Sequence, residues 1–169
     1  MEKPYILAYG RVSEEALNKL GQDYETVYFT QGENLENERF RNVLRKAEAI
    51  VGVELEVNKE LLEHAPALKV VSNVAVGYDN LDVKALSGRE IAACHTPDVL
   101  NDTVADAVFG MILASARRIP EMDRFVKEQK WTGVMPDDKF GVDVHHKKNR
   151  HYWHGPHRRS DSKAGQPWI

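Results

Sequence analysis

The chain has 169 residues, 42% of them hydrophobic, with a formal charge of −3. That is enough to bury one ordinary core and begin a second, and too little for two full domains of usual size. No apolar run reaches the roughly 18 residues of a membrane span, and the first ten residues lack the basic start and small-residue cleavage site of a secretory signal, so a cytoplasmic protein is expected.

Residues 4–9 (PYILAY) form a short apolar run, and Ser13 then stands as a helix cap before SEEALNKL, whose Ala16, Leu17 and Leu20 share one face. The alternation repeats. TVYF at 26–29 is β-branched and aromatic, ENERFRNVLRKA at 36–47 sets Phe40, Val43, Leu44 and Ala47 at helical spacing, and AEAIVGV at 47–53 reads as a strand. Asn58 can cap KELLEHA, Pro66 closes that helix, and LKVVSNVAV at 68–76 predicts a strand covered on both faces. The dipeptide Asp79-Asn80, with Asp82, predicts a turn and cap ahead of the short helix LDVKALSGR. REIAAC at 89–94 predicts a further strand with Cys94, the one cysteine, as a packed, reduced side chain; a lone cysteine also excludes an internal disulfide.

Beyond Val99 the pattern changes to one long helix, LNDTVADAVFGMILASARR, with Asn101 or Asp102 expected at its start and Arg117 and Arg118 at its end. Pro120 opens another helix, PEMDRFVKEQKW, and a loop rich in Gly and Asp follows, TGVMPDDKFGVDV. Strands alternating with short helices predict an α/β fold, a flavodoxin-like parallel sheet with helices on both faces, whose sites form at the carboxyl ends of strands. The expected divisions are residues 1–98 as a substrate domain, 99–144 as linking helices and loop, and 145–169 as a tail of different character.

Residues 70–118 read VVSNVAVGYDNLDVKALSGREIAACHTPDVLNDTVADAVFGMILASARR. VGYDN followed by Asp82, then TPDVL, then the T-V-A-D helix start occur in an order and spacing that closely resemble the D-2-hydroxyacid dehydrogenases, of the glyoxylate or 2-ketogluconate reductase kind. With the weaker pattern before it, the resemblance covers about residues 4–144.

Alone, Val76-Gly77-Tyr78 reads as a plain turn after a strand, or as a loop where the missing side chain of Gly77 lets backbone N–H groups approach a small carboxylate. The resemblance implies the second, with Val76 and Gly77 holding the substrate carboxylate and Asn73 and Ala75 as neighbours. It also implies a cofactor contact at Thr103, where free N–H groups and the helix dipole favour an anion, although a capping threonine would look the same. His95 has the look of a general base, but the family's catalytic histidine lies nearer the carboxyl terminus, so His95 is read as structural and no residue is named catalytic. The intact family member is expected to use NAD or NADP to reduce a small 2-keto acid (glyoxylate, hydroxypyruvate or 2-ketogluconate) and to form a homodimer, while this chain is expected to hold no cofactor.

After residue 144 the resemblance predicts a strand and a G-x-G-x-x-G turn that binds the cofactor pyrophosphate. The chain instead reads HHKKNRHYWHGPHRRSDSKAGQPWI, with six Lys or Arg against one Asp and five of the seven histidines. Back-translated and read from the second base of each codon beginning at Asn149, it permits I-G-I-I-G-M-G-R-I-G-E-A-I-A-K-R-A-N-L-G, the missing strand, turn and helix. Trp153 and Trp168 have a single codon, and each forces a glycine in that frame. A one-base insertion around residues 147–149 is therefore expected, making the chain an inactive fragment. Two rivals attach to the tail: a metal site at His145, His146, His151, His154 and His157, and a basic nucleic-acid arm built on Lys147, Lys148, Arg150, Arg158, Arg159, Tyr152 and Trp153. An out-of-frame tail leaves no more than adventitious affinity to either, so neither nucleic acid nor membrane is an expected partner. A further alternative is a stand-alone module that binds carboxylates or docks on a full-length homologue.

Overall fold

A computed structural model describes residues 3–148. The frame-shifted reading and most of the histidine and basic-arm readings fall on residues outside that range. The chain divides into two compact units, Met1–Pro97 and Asp98–Ile169.

The first unit alternates β1 (Tyr5–Tyr9), α1 (Glu14–Asp23), β2 (Glu25–Phe29), α2 (Glu38–Lys46), β3 (Ala47–Gly52), α3 (Lys59–Glu63), β4 (Val70–Asn73), α4 (Val83–Gly88) and β5 (Ala92–Cys94). All pairings are parallel and the strand order is β2-β1-β3-β4-β5, the flavodoxin-like order. The chain reverses direction at β1, so right-handed crossovers put α1 on one face and α2, α3 and α4 on the other. The second face is the deeper one. Phe40 and Leu44 of α2, Leu61 and Leu62 of α3 and Leu86 of α4 join Leu7, Tyr9, Phe29, Ile50 and Val71 in one core, to which α1 contributes no buried residue.

Local chemistry sets the helix starts. Ser13 Oγ accepts from Ala16 N at 3.2 Å, Asn58 Oδ1 from Leu61 N at 2.9 Å and Asp82 Oδ1 from Ala85 N at 2.9 Å, each relieving one unpaired N–H of a first turn. The second helix begins at Glu38, two residues later than its sequence pattern, because Asn37 accepts from the N–H groups of Arg39 and Phe40 and so stands outside it.

Three expectations for this unit are corrected. The strand β4 ends at Asn73, and its burial alternates, with Val71 and Asn73 buried and Val70 and Ser72 half-buried, because the face behind it carries α1 alone. The strand β5 is only three residues long. Those residues, Cys94 among them, are exposed because β5 is the outer strand of the sheet; the packed side chain of REIAAC is Ile91.

The second unit holds α5 (Asn101–Ala116), α6 (Ile119–Lys127) and a 3-10 turn at Asp137–Lys139. Arg118, at φ 53°, turns the chain between the two helices. Its guanidinium grips Glu121 through two bonds of 2.7 and 2.8 Å, and Lys139 reaches the same carboxylate at 3.1 Å. These partners hold Glu121 below the ordinary carboxylate range and Arg118 and Lys139 above their ordinary values. The returning loop donates Val142 N to the Ala116 carbonyl at 2.8 Å, and Gly141 sits where a Cβ would lie 2.4 Å from that oxygen. The helix α5 starts at Asn101, as expected; Leu100 stands at its N-cap with no side-chain cap, and Asn101 turns its amide to Asp98 Oδ1 at 2.8 Å. Among the described residues there is no second sheet, and no helix is long and apolar enough to cross a membrane.

Candidate functional site

The loop of residues 74–81 leaves the carboxyl end of β4, the edge where parallel sheets place their ligands. It is clamped from both sides. On the β3 side Val74 N donates to Gly52 O at 2.7 Å, and Val57 N to Asn80 O at 2.9 Å. On the β5 side Thr96 N donates to Ala75 O at 3.0 Å, and His95 Nδ1 lies 3.0 Å from Val76 O.

Beneath the loop lies Asn73, the buried polar side chain of this unit at 3% exposure. Its Nδ2 donates to Gly77 O at 2.7 Å and to Asn80 Oδ1 at 3.3 Å; Asn80 Nδ2 returns a bond to Asn73 Oδ1 at 3.3 Å and reaches Leu55 O at 2.8 Å. All four amide protons of the pair are thereby used, which makes burial of Asn73 tolerable.

Three consecutive carbonyls, of Ala75, Val76 and Gly77, are therefore held by Thr96 N, His95 Nδ1 and Asn73 Nδ2. In a trans peptide the C=O of one residue and the N–H of the next point in opposite directions. The N–H groups of Val76, Gly77 and Tyr78 are thus turned away from these anchors, and among the described residues none of them has a partner. Fixed, unpaired backbone donors are groups that can hold an anion without a charged side chain. Gly77 fits that use: a Cβ there would meet only Asp79 Oδ1, at 3.1 Å, the tip of an exposed side chain. Nothing deep in the fold requires a glycine at that position.

The residues Asn73, Ala75, Val76 and Gly77 are brought together here. Thr103 belongs to the other unit, on the first turn of α5, exposed and beside the negative charge of Asp102. Residues 79–82 do more than turn the chain: Asp82 caps α4 as expected, but Asn80 cross-links the loop to Leu55. The anchoring by His95 and Thr96 was not legible, since each lies about twenty residues from its partner and is brought there by the parallel register Ser72 to Cys94. The one local signal was a pair of asparagines flanking the apolar run Val74-Ala75-Val76.

A separate open cavity of about 440 Å³ is lined by Tyr9, Phe40, Leu55 and Leu61 with Glu33, Glu36, Glu54, Glu56 and Glu60 at its rim. That rim repels carboxylates, so the cavity is no rival to the loop for an acid guest. Among the described residues no group of His, Cys, Asp or Glu is placed to hold a metal ion.

Residues 6–153 match the family model of the D-isomer specific 2-hydroxyacid dehydrogenase catalytic domain. The chain is 42% identical over 147 residues to glyoxylate/hydroxypyruvate reductase B of Erwinia tasmaniensis, covering 86% of this chain and 46% of that one. The same enzyme of Yersinia enterocolitica is 42% identical over 146 residues, with 86% and 44% covered. Among solved structures, a 2-hydroxyacid dehydrogenase from Ketogulonicigenium vulgare superposes with a TM-score of 0.71 at 30% identity, over 85% of this chain and 45% of that one. An NADPH-dependent glyoxylate/hydroxypyruvate reductase from Sinorhizobium meliloti, in complex with citrate, gives 0.69 at 27% identity, over 86% and 45%. The chain thus spans a little under half the length of the relatives it matches. By the match over residues 6–153, it belongs to the D-isomer specific 2-hydroxyacid dehydrogenase family.

Proposed function

We propose that the whole protein reduces a small 2-keto acid, such as glyoxylate, hydroxypyruvate or 2-ketogluconate, with NADH or NADPH, and that this chain supplies the seat for the acid's carboxylate. The observation that carries the proposal is the row of unpaired N–H groups at Val76, Gly77 and Tyr78, each fixed through its peptide plane. Asn73 holds the loop from below. The relatives' names, and the citrate in one neighbouring structure and NADP and malonate in another, fit the same chemistry. In this arrangement residues 1–98 form the substrate domain and residues 99–144 lead into a cofactor domain, in a cytoplasmic homodimer.

The described residues alone do not make a cofactor site. Thr103 offers one hydroxyl, Asp102 beside it opposes a phosphate, and no strand, glycine turn and helix stand ready to cradle a pyrophosphate. A bound nicotinamide would supply the hydride; what these residues do is hold and orient the acid. The 169-residue chain by itself is therefore read as binding acid without turning it over, and without retaining NADH or NADPH.

Titrating the isotope-labelled chain with glyoxylate while following backbone amides tests the seat. Shifts should concentrate at Val76, Gly77 and Tyr78, and Gly77→Val should abolish them while leaving the unfolding midpoint nearly unchanged. Shifts absent or scattered over the surface would overturn it. Steady oxidation of NADPH by the purified chain with glyoxylate would refute the claim of inactivity. For residues 149–169 we propose a frame-shifted copy of the cofactor-binding strand, turn and helix, which resequencing the DNA across the codons for residues 134–169 and beyond decides directly.

A further inference from the structure

We infer that His95 is a positioning residue for the carboxylate seat: it fixes the Val76–Gly77 peptide plane and so aims the Gly77 N–H at the bound acid. The inference rests on the proposal that this loop holds a carboxylate, and it assigns a task to a side chain that the family resemblance left as structural.

The geometry leaves little freedom. The partner of His95 Nδ1 is a carbonyl oxygen, 3.0 Å away, which can only accept, so Nδ1 carries a proton. The ring is steered by two further contacts. Thr96, the next residue, is pinned to Ala75 O through its N–H, and the Tyr78 ring meets the imidazole edge-to-face at 5.2 Å and 67°. One short segment after β5 thus grips two successive carbonyls of the loop, while Asn73 grips the third from the core side.

The three anchors divide the work by peptide plane. Thr96 N sets the plane that carries the Val76 N–H, His95 sets that of Gly77, and Asn73 sets that of Tyr78. Two of them are backbone or buried, whereas His95 is an exposed side chain, so its removal can loosen one N–H without disturbing the core. Gly77, lacking a Cβ, is also the residue whose plane rotates most freely when unanchored, which makes an anchor on the Val76 carbonyl matter there.

The test uses the labelled full chain with His95→Phe and His95→Asn. Phenylalanine keeps a flat ring against Tyr78 and has no donor; the asparagine amide places an N–H close to the position of Nδ1. In wild type, nitrogen shifts of the neutral ring should report the proton on Nδ1. In His95→Phe the Gly77 amide should move and exchange faster, more than its neighbours do, and glyoxylate should bind about three- to ten-fold more weakly, the span expected for one hydrogen bond. His95→Asn should recover most of both effects. A Gly77 amide indifferent to His95→Phe, or a wild-type ring protonated on Nε2, would overturn the inference. A wild-type loop that ignores glyoxylate would refute the carboxylate seat instead, and the Gly77 amide in His95→Phe would still decide whether His95 positions it.

Discussion

At the scale of single residues, Asn73 shows how a buried polar group becomes part of a site. Its amide satisfies the Gly77 carbonyl and shares a reciprocal pair with Asn80, so Asn73→Ala strands a carbonyl and half of an amide pair in a part-buried setting. The expected loss is about 1–3 kcal/mol in urea unfolding, accompanied by weaker glyoxylate binding. A variant as stable as wild type would mean that water replaces the amide without cost. Helix caps are the residue-scale features most legible in the sequence. The partners of Ser13, Asn58 and Asp82 lie three residues away, so the bond is local, and Asn58→Ala should cost about 1 kcal/mol by the same measurement. The start of α5 at Asn101 was legible too, but its side chain gives no cap and turns back to Asp98.

At the scale of elements, α2 is fastened by one side chain above all. Phe40 is fully buried, edge-on to Phe29 at 5.1 Å and to Tyr9 at 6.2 Å, so it ties α2 to both β2 and β1. Phe40→Ala should cost about 3–5 kcal/mol, enough to unfold a marginal unit, as circular dichroism would register. The pattern of Phe40, Val43, Leu44 and Ala47 showed this face plainly, because helical periodicity is a property of the chain itself. In the second unit α6 is held to the 3-10 turn by the Arg118, Glu121 and Lys139 cluster. Glu121 titrates below the ordinary carboxylate range, so its contribution is present above that range and fades as pH falls through its lowered value. Protection of the amides near Lys139, taken relative to their intrinsic exchange rate at each pH, should therefore fall in acid in wild type and show no such step in Glu121→Gln. The cluster is exposed, so the effect is confined to local opening.

At the scale of the whole molecule, the described residues of the second unit bury only Ala105 of α5 and leave Met111, Val134, Phe140 and Val142 more than 60% exposed. So much apolar surface on two short helices and a loop predicts that the isolated chain self-associates as concentration rises, and that Met111→Glu reduces this in light scattering. Equal scattering by both proteins would remove α5 from the contact. The sequence by itself determined the order of strands and helices, the caps, the core face of α2 and the family, because each is written in local spacing or in a contiguous motif. Tertiary structure decided what apolar letters cannot say. The residues of β5 are as apolar as a central strand but stand at the sheet's edge, so Cys94 is exposed. The carboxylate seat likewise depends on parallel register, which carries His95 and Thr96 across some twenty residues to the carbonyls of Val76 and Ala75. Backbone N–H groups are present at nearly every position of any chain; only the fold settles which of them are left unpaired and which way they point.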